Sequence, residues 1–358
     1  MKTLLTSCRE RTRSAVLDLL WRQWCTLGVA GNASVVSGER LIDLDALVLA
    51  TSSLGRRDPR LFDEALDWLG EYGFLVNLQR VKNLRKRVGL GNEEVLSAMA
   101  DWLWKEAGQP RWKLFVDSKQ DETPEEKNPL FVEQAGVRAR NPDPVFARHG
   151  LERNQFEPRR MGRAPDPKHP ANLMPVLRAL MGVSARVEIL LYFGGTMGSA
   201  HATEVAHATG YSPRTLQVQL QEMQLSGQVL GPPKSPDKDG PVRRGSNRAY
   251  TLNDELLEFL SPRTVFPDWA PWASVFRLSE AVLELFPSDE KPETPPLVIS
   301  SRLREVLTAE FKTLVVQNLW HELSLSLDAK GESLLKEFCE GFSNLLNRLV
   351  ERDENLNP

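Results

Sequence analysis

Cysteine is scarce in this chain of 358 residues: Cys8, Cys25 and Cys339 are far apart, odd in number and form no Cys-x-x-Cys pair. That excludes a disulfide framework and a zinc ribbon. Long apolar runs are lacking too, since none approaches the roughly 18 residues needed to span a bilayer. Leu5-Thr6-Ser7-Cys8 has the form of a lipoprotein cleavage site, yet only Leu4 and Leu5 precede it, and Arg9, Arg11 and Arg13 follow. A signal peptide needs an apolar run of at least about seven residues there. The expected compartment is the cytoplasm, with no membrane partner. Neither sign of charge is in excess: 45 Lys and Arg stand against 48 Asp and Glu, a net charge of -3. The whole molecule is not a basic nucleic-acid coat, so an acidic polymer would have to be met by a local patch.

Motifs of catalysis and metal binding are also missing. Gly194-Gly195-Thr196-Met197-Gly198-Ser199 invites comparison with a phosphate loop, but Ala200-His201 stands where that loop needs Lys-Ser/Thr. No Asp-x-Asp/Glu pair follows as a nucleotidyltransferase would require, so the stretch is expected to be a turn between helix and strand. His201 and His207 do not share a helical face, and no Cys or Asp clusters near them. His321-Glu322 lacks the second histidine of a zinc protease, and there is no Gly-x-Ser-x-Gly elbow. We expect no enzyme, no metal and no cofactor.

What is present is an ordinary soluble composition, 41% hydrophobic and 26% charged, on a chain long enough for two or three domains. No internal repeat of 20–50 residues is visible. Residues 1–116 read as a helical domain. Val16, Leu20, Trp24 and Leu27 share one helical face over 12–27, and Gly28 and Gly31 end it. A short hairpin around Ser37-Gly38 and a helix over about 44–54 follow. Asp58-Pro59 and Asn92 then start helices, and Trp21, Trp24, Trp68 and Trp102 are candidate core anchors. Between them Arg80, Lys82, Arg85, Lys86 and Arg87 form a basic run, either the solvated face of a helix or, with Arg56, Arg57 and Arg60, an extra DNA-contacting surface.

Residues 117–170 are rich in proline without apolar periodicity, a linker or an extended arm packed on its neighbours. Its second half is basic, with eight Arg/Lys against four Asp/Glu over 138–168. A helical segment at 257–358 closes the chain, with helices near 273–286, 299–325 and 330–350. Its stripe of Leu334, Leu335, Phe338, Phe342, Leu345, Leu346 and Leu349 reads either as domain core or as a dimer seam.

The stretch with a job is 171–256. A helix from Ala185 to Phe193 is ended by Gly194-Gly195. A short helix capped by Thr203 runs to Gly210, whose freedom suits a left-handed corner. Ser212-Pro213 caps and starts the next helix, which should bury Leu216, Leu220 and Met223. Its other face offers Arg214, Thr215, Gln217, Val218 and Gln221, and only Glu222 is acidic. Arg can pair with guanine and Gln with adenine, and apolar atoms can touch a thymine methyl. Between two short apolar strands lie Lys234, Lys238, Arg243, Arg244 and Arg248. Residues 212–250 carry six Arg/Lys against three Asp/Glu, whereas 251–358 carry ten against nineteen. Positive charge is thus concentrated where phosphates would be met.

The pattern Thr203-x-Val205-Ala206-x-x-x-Gly210-x-Ser212-x-x-Thr215-Leu216-x-x-x-Leu220-x-x-Met223-x-x-x-Gly227-x-Val229 resembles the winged helix-turn-helix of MarR/ArsR-type bacterial transcription regulators, over about a fifth of the chain. The resemblance implies a recognition helix in the major groove, with Arg214, Thr215, Gln217, Val218 and Gln221 facing bases. It also implies a wing whose Arg243, Arg244 and Arg248 meet phosphates, and a homodimer. Two features depart from the family: large segments flank the module, and no metal-sensing cysteine pair is present. The expected fold is therefore mainly α with a small β-wing, multi-domain, the central winged helix-turn-helix flanked by helical domains. The expected function is transcriptional regulation, as a repressor, through sequence-specific binding of double-stranded DNA; the effector is not encoded in any motif. The competing expectation is a non-catalytic regulatory or scaffold subunit, such as an antitoxin or defence-operon component, whose winged helix contacts protein.

Overall fold

Four polar residues set the helix starts of the first hundred residues. Asp43, Asp58, Asn77 and Asn92 each accept a hydrogen bond from a backbone N–H of the turn that follows, which satisfies donors that have no partner within a helix. The computed structural model describes residues 1–116, 127–132, 138–196, 198–231, 249–260, 266–288, 294–316, 319–326 and 328–351.

In chain order the helices are α1 (Lys2–Leu27), α2 (Leu44–Ser53), α3 (Pro59–Tyr72), α4 (Leu78–Val88), α5 (Glu93–Lys105), α6 (Pro144–Arg148), α7 (Leu173–Met181), α8 (Ala185–Thr196), α9 (Ala202–Thr209), α10 (Pro213–Leu225), α11 (Asp254–Leu260), α12 (Trp272–Leu285), α13 (Pro296–Val316), α14 (Leu319–Leu323) and α15 (Gly331–Glu351). The short strands are β1 (Asn128–Pro129), β2 (Leu151–Glu152), β3 (Ala200–His201), β4 (Val229–Leu230) and β5 (Ala249–Leu252). The protein is mainly helical. It divides into two units: residues 1–37, 42–166 and 271–358 form one, and residues 38–41 and 167–270 form the other.

In the larger unit the two ends of the chain share one core, so the separate N-terminal and C-terminal helical domains expected from the sequence are one body. α1 packs against both α12 and α15. It begins at Lys2 and not near residue 12, because Leu5, Cys8 and Thr12 continue the inward face of Val16 and Leu19. The apolar stripe of α15 is covered from Leu334 to Leu349, by α1, α13 and α14. It is core, and not a dimer seam. Trp24 and Trp68 meet edge to face at 5.5 Å, with Trp102 also buried and Trp21 half-buried. Trp112, which periodicity did not mark, is fully enclosed.

The proline-rich segment, where described, is an arm packed on this core. Arg153 forks onto Asp63 at 2.7 and 3.0 Å while its guanidinium lies 5.1–5.3 Å from the rings of Phe131, Phe146 and Phe156. Trp68 Nε1 donates to the Arg163 carbonyl at 2.9 Å, and Arg163 N to that of Gly28 at 2.8 Å. Where described, the expected linker thus spends Arg153, Arg159 and the Arg163 backbone on the core, contacts that need no helical or strand periodicity of its own.

The smaller unit is built on α8, buried on all sides through Val187, Ile189, Leu191 and Phe193. No hairpin forms around Ser37-Gly38; instead Glu39 and Leu41 exchange backbone hydrogen bonds with Asp268. The three short strands form an antiparallel sheet of order β3-β5-β4. Gly194-Gly195 does not end α8, which runs on to Thr196. A Cβ on Gly194 would enter the Phe266 ring, and one on Gly195 would meet the backbone of 267–269. The glycines are there for close approach of a crossing segment, not for a turn.

A candidate nucleic-acid interface

α10 is fixed at its start by its own sequence. Ser212 Oγ accepts from Thr215 N at 3.1 Å, with Pro213 at the first helical position. The corner before it turns on Gly210, whose φ of 87° a side chain would strain. Leu216, Leu220 and Met223 are buried. That packing leaves Arg214, Gln217, Val218 and Gln221, spaced three and four apart, as one exposed stripe, with Thr215 exposed beside it. All five residues expected to face bases therefore share one outward face. Thr215 is partly committed, its hydroxyl 2.8 Å from that of Ser212.

Arg214 makes no ion pair with another described residue. The one carboxylate of the helix, Glu222, lies two turns on and is occupied: Arg186 of α8 donates to it at 2.8 Å and Gln219 at 3.1 Å. The exposed stripe thus keeps its cation at the N-terminal end and its acid neutralised at the other. Leu225, 78% exposed, prolongs the stripe, and Leu230 on β4 is half exposed.

Two side chains one turn apart on α8 hold the pair α9 and α10. Tyr192 bonds Glu204 in the first turn of α9; burial, then the Glu204 carboxylate, pushes the phenol pKa far up. Glu188, fully buried, accepts from the Tyr211 hydroxyl at 2.9 Å, and Tyr211 lies in the corner between α9 and α10. The other Glu188 oxygen takes Arg178 Nε at 3.0 Å and Nη2 at 2.5 Å. Sequence reasoning passed over these three. Their signal was there: Arg178 is the one charge of α7, Glu188 is set between Val187 and the apolar run 189–193, and a charge facing a core requires a partner. α9 starts two residues earlier than expected, with His201 and not Thr203 as its cap, and Glu204 Oε2 accepting from His201 N at 3.4 Å.

The residues expected on the wing, Lys234, Lys238, Arg243, Arg244 and Arg248, lie outside the described residues. What brackets them is described: β4 and β5 pair with Val229 opposite Leu252 and Leu230 opposite Thr251.

The basic run of the larger unit is not one surface. Arg80 is fully buried, with Nη1 2.5 Å from Asp43 and 2.9 Å from Asp45. It leaves the candidate DNA surface because α4 packs on α2 through that face. Arg85 is paired with Glu93 at 2.5 Å. Lys82 and Lys86 are exposed without ion pairs to described residues, the former 5.7 Å from the Phe115 ring; Arg87 is exposed and within the field of Glu310. Lys82, Arg85 and Lys86 line an open groove of about 830 Å³, but Glu93 and Glu94 line it too, so its charge is nearly balanced. Arg56 is spent on the carbonyls of Pro129 and Leu130.

No His/Cys/Asp/Glu group able to hold a metal exists among the described residues, and no described helix is long and apolar enough to cross a membrane. No model of a known protein family matches the chain, nor does any curated protein or solved structure.

Proposed function

We propose that the chain is a sequence-specific double-stranded DNA-binding protein, a transcriptional regulator acting as a repressor, whose central module is a winged helix-turn-helix. The observation that carries this reading is the outward face of α10: Arg214, Thr215, Gln217, Val218 and Gln221 exposed together while Leu216, Leu220 and Met223 anchor the helix from behind. Arg and Gln are the side chains that read guanine and adenine edges bidentately, and Val218 would meet a thymine methyl. The order α8-β3-α9-α10-β4-β5, with β5 between β3 and β4, agrees with that module, and β4 and β5 frame the basic stretch that would touch phosphates. A homodimer is part of the proposal, because such modules read paired half-sites through a twofold partner; its seam is not the stripe of α15, which the chain itself covers.

Fluorescence anisotropy of the full chain on duplex DNA at two salt concentrations tests this. Binding should weaken steeply with salt, as release of counterions from contacted phosphates requires. Absence of salt-dependent binding overturns it. A second reading, a scaffold subunit docking a protein through the same face, has one observation in its favour: Leu225 and Leu230 add exposed apolar surface beside that face. Salt-insensitive binding to a protein partner, with none to duplex, would select it.

A further inference from the structure

We infer that Tyr211 is the positioning residue of α10, its hydroxyl clamped by the buried Glu188–Arg178 pair so that the helix is presented at one angle. The consequence for recognition rests on the DNA-binding reading above; the clamp itself does not.

Tyr211 stands between Gly210, in its left-handed conformation, and Ser212, the N-cap of α10. The corner therefore has a residue with little backbone constraint on one side and the helix start on the other. The cap of α10 does not fix its direction relative to α8; the buried Leu216, Leu220 and Met223 and the exposed Arg186–Glu222 pair bear on the body of the helix. The Tyr211 hydroxyl ties its start, reaching Glu188 Oε2 at 2.9 Å. Glu188 cannot yield to it, because its other oxygen is forked onto Arg178 of α7, and both charged side chains are wholly inaccessible.

Burying two charges is a poor way to gain stability, since apolar side chains of the same volume do as well or better. What the pair supplies is a carboxylate oxygen at a fixed point, aimed at the corner. Groups that read a ligand must be held within roughly 0.5 Å and 10–20° of their working geometry. Arg214 follows Tyr211 by three residues, so a small rotation at the corner is carried directly to the exposed stripe. Tyr192, one turn further along α8, holds the start of α9 through Glu204, so α9 is held from one face of α8 at its start and at the corner that leads into α10.

The test uses full-length Tyr211→Phe, which removes only the hydroxyl, and amide hydrogen exchange followed along the chain. A hydrogen bond to a charged acceptor is strong enough that its loss should speed exchange at residues 211–218 by roughly tenfold or more, with the rest of the chain unchanged. On the preferred duplex selected from a random pool, the ratio of specific to non-specific affinity should fall by roughly tenfold while the salt slope stays the same, because the phosphate contacts are untouched. The double variant Arg178→Met/Glu188→Leu, which fills the site without charge, should keep the melting temperature and still loosen 211–218. Unchanged exchange in Tyr211→Phe, exchange raised equally throughout the smaller unit, or a specificity ratio that does not move, each overturns the inference. If the wild type binds no duplex, the DNA reading falls, and local exchange alone decides whether the clamp stands.

Discussion

Arg80 forks both guanidinium nitrogens onto Asp43, at 2.5 and 2.6 Å, while the same carboxylate caps α2 by accepting from Ala46 N at 3.2 Å. One acid thus joins the start of α2 to the middle of α4, and Asp45 completes the set by accepting from Arg80 at 2.9 Å and from Asn77 N at 2.9 Å. Removing the cation would strand two buried carboxylates. Arg80→Ala should cost about 3–5 kcal/mol of stability, read from chemical denaturation. Lys86→Ala, exposed on the same helix, should stay within about 0.5 kcal/mol of wild type.

Gly195 carries no side chain because the chain at 267–269 crosses it. Gly195→Ala forces a methyl against the Trp269 nitrogen and the Pro267 carbonyl, both backbone atoms that cannot rotate away. A loss of about 1–3 kcal/mol is expected. Gly198→Ala, whose Cβ would find only ordinary contact with the Thr196 carbonyl at 3.6 Å, is the control in the same thermal melt.

Glu310 titrates above the ordinary carboxylate range because burial opposes its charge, an effect larger than the opposing pull of Ser274, Arg87 and Arg277. The folded state therefore holds this proton more tightly than the unfolded chain. Its contribution to stability is gained as pH falls through the raised folded value and lost as pH rises above it. Glu310→Gln keeps an acceptor for the Ser274 hydroxyl, which reaches the native carboxylate at 2.6 Å. The variant should be more stable than wild type at pH 8, and this advantage should shrink by pH 5, in paired denaturation curves. An advantage that grows on acidification would contradict the assignment.

On the proposed interface, Arg214→Ala with Gln217→Ala should lower affinity for the preferred duplex by about 1–3 kcal/mol per lost base contact. Arg243→Ala with Arg244→Ala should weaken all sequences alike and flatten the salt dependence. Anisotropy titrations against preferred and scrambled duplexes separate the two. Identical behaviour of both pairs would show that the roles given to them are wrong.

Much of the smaller unit was legible because its signals are local. Ser212-Pro213, Gly210 and the spacing of Leu216, Leu220 and Met223 lie within fifteen residues of one another, and a cap or a corner is decided by the nearest few side chains. The exposed stripe of α10 followed from the same spacing. Tyr211 was missed for the opposite reason: its role depends on Glu188 and Arg178, which lie 23 and 33 residues earlier in the chain and which periodicity marks only as charges out of place.

By itself, then, the sequence determined the helix starts at Asp58, Asn92 and Ser212, the helical character and which face of α10 turns outward, since each depends on backbone donors and apolar spacing within a few turns. Only the tertiary structure decided that α1 and α15 share a core, that Arg80 points inward to Asp43 and Asp45, and that Gly194-Gly195 makes room for a crossing strand of chain. These depend on which distant surface comes to lie against a given face. A basic run or an apolar stripe reads the same in sequence whether water or another helix covers it, and for Arg80 and Leu345 it is another part of the same chain.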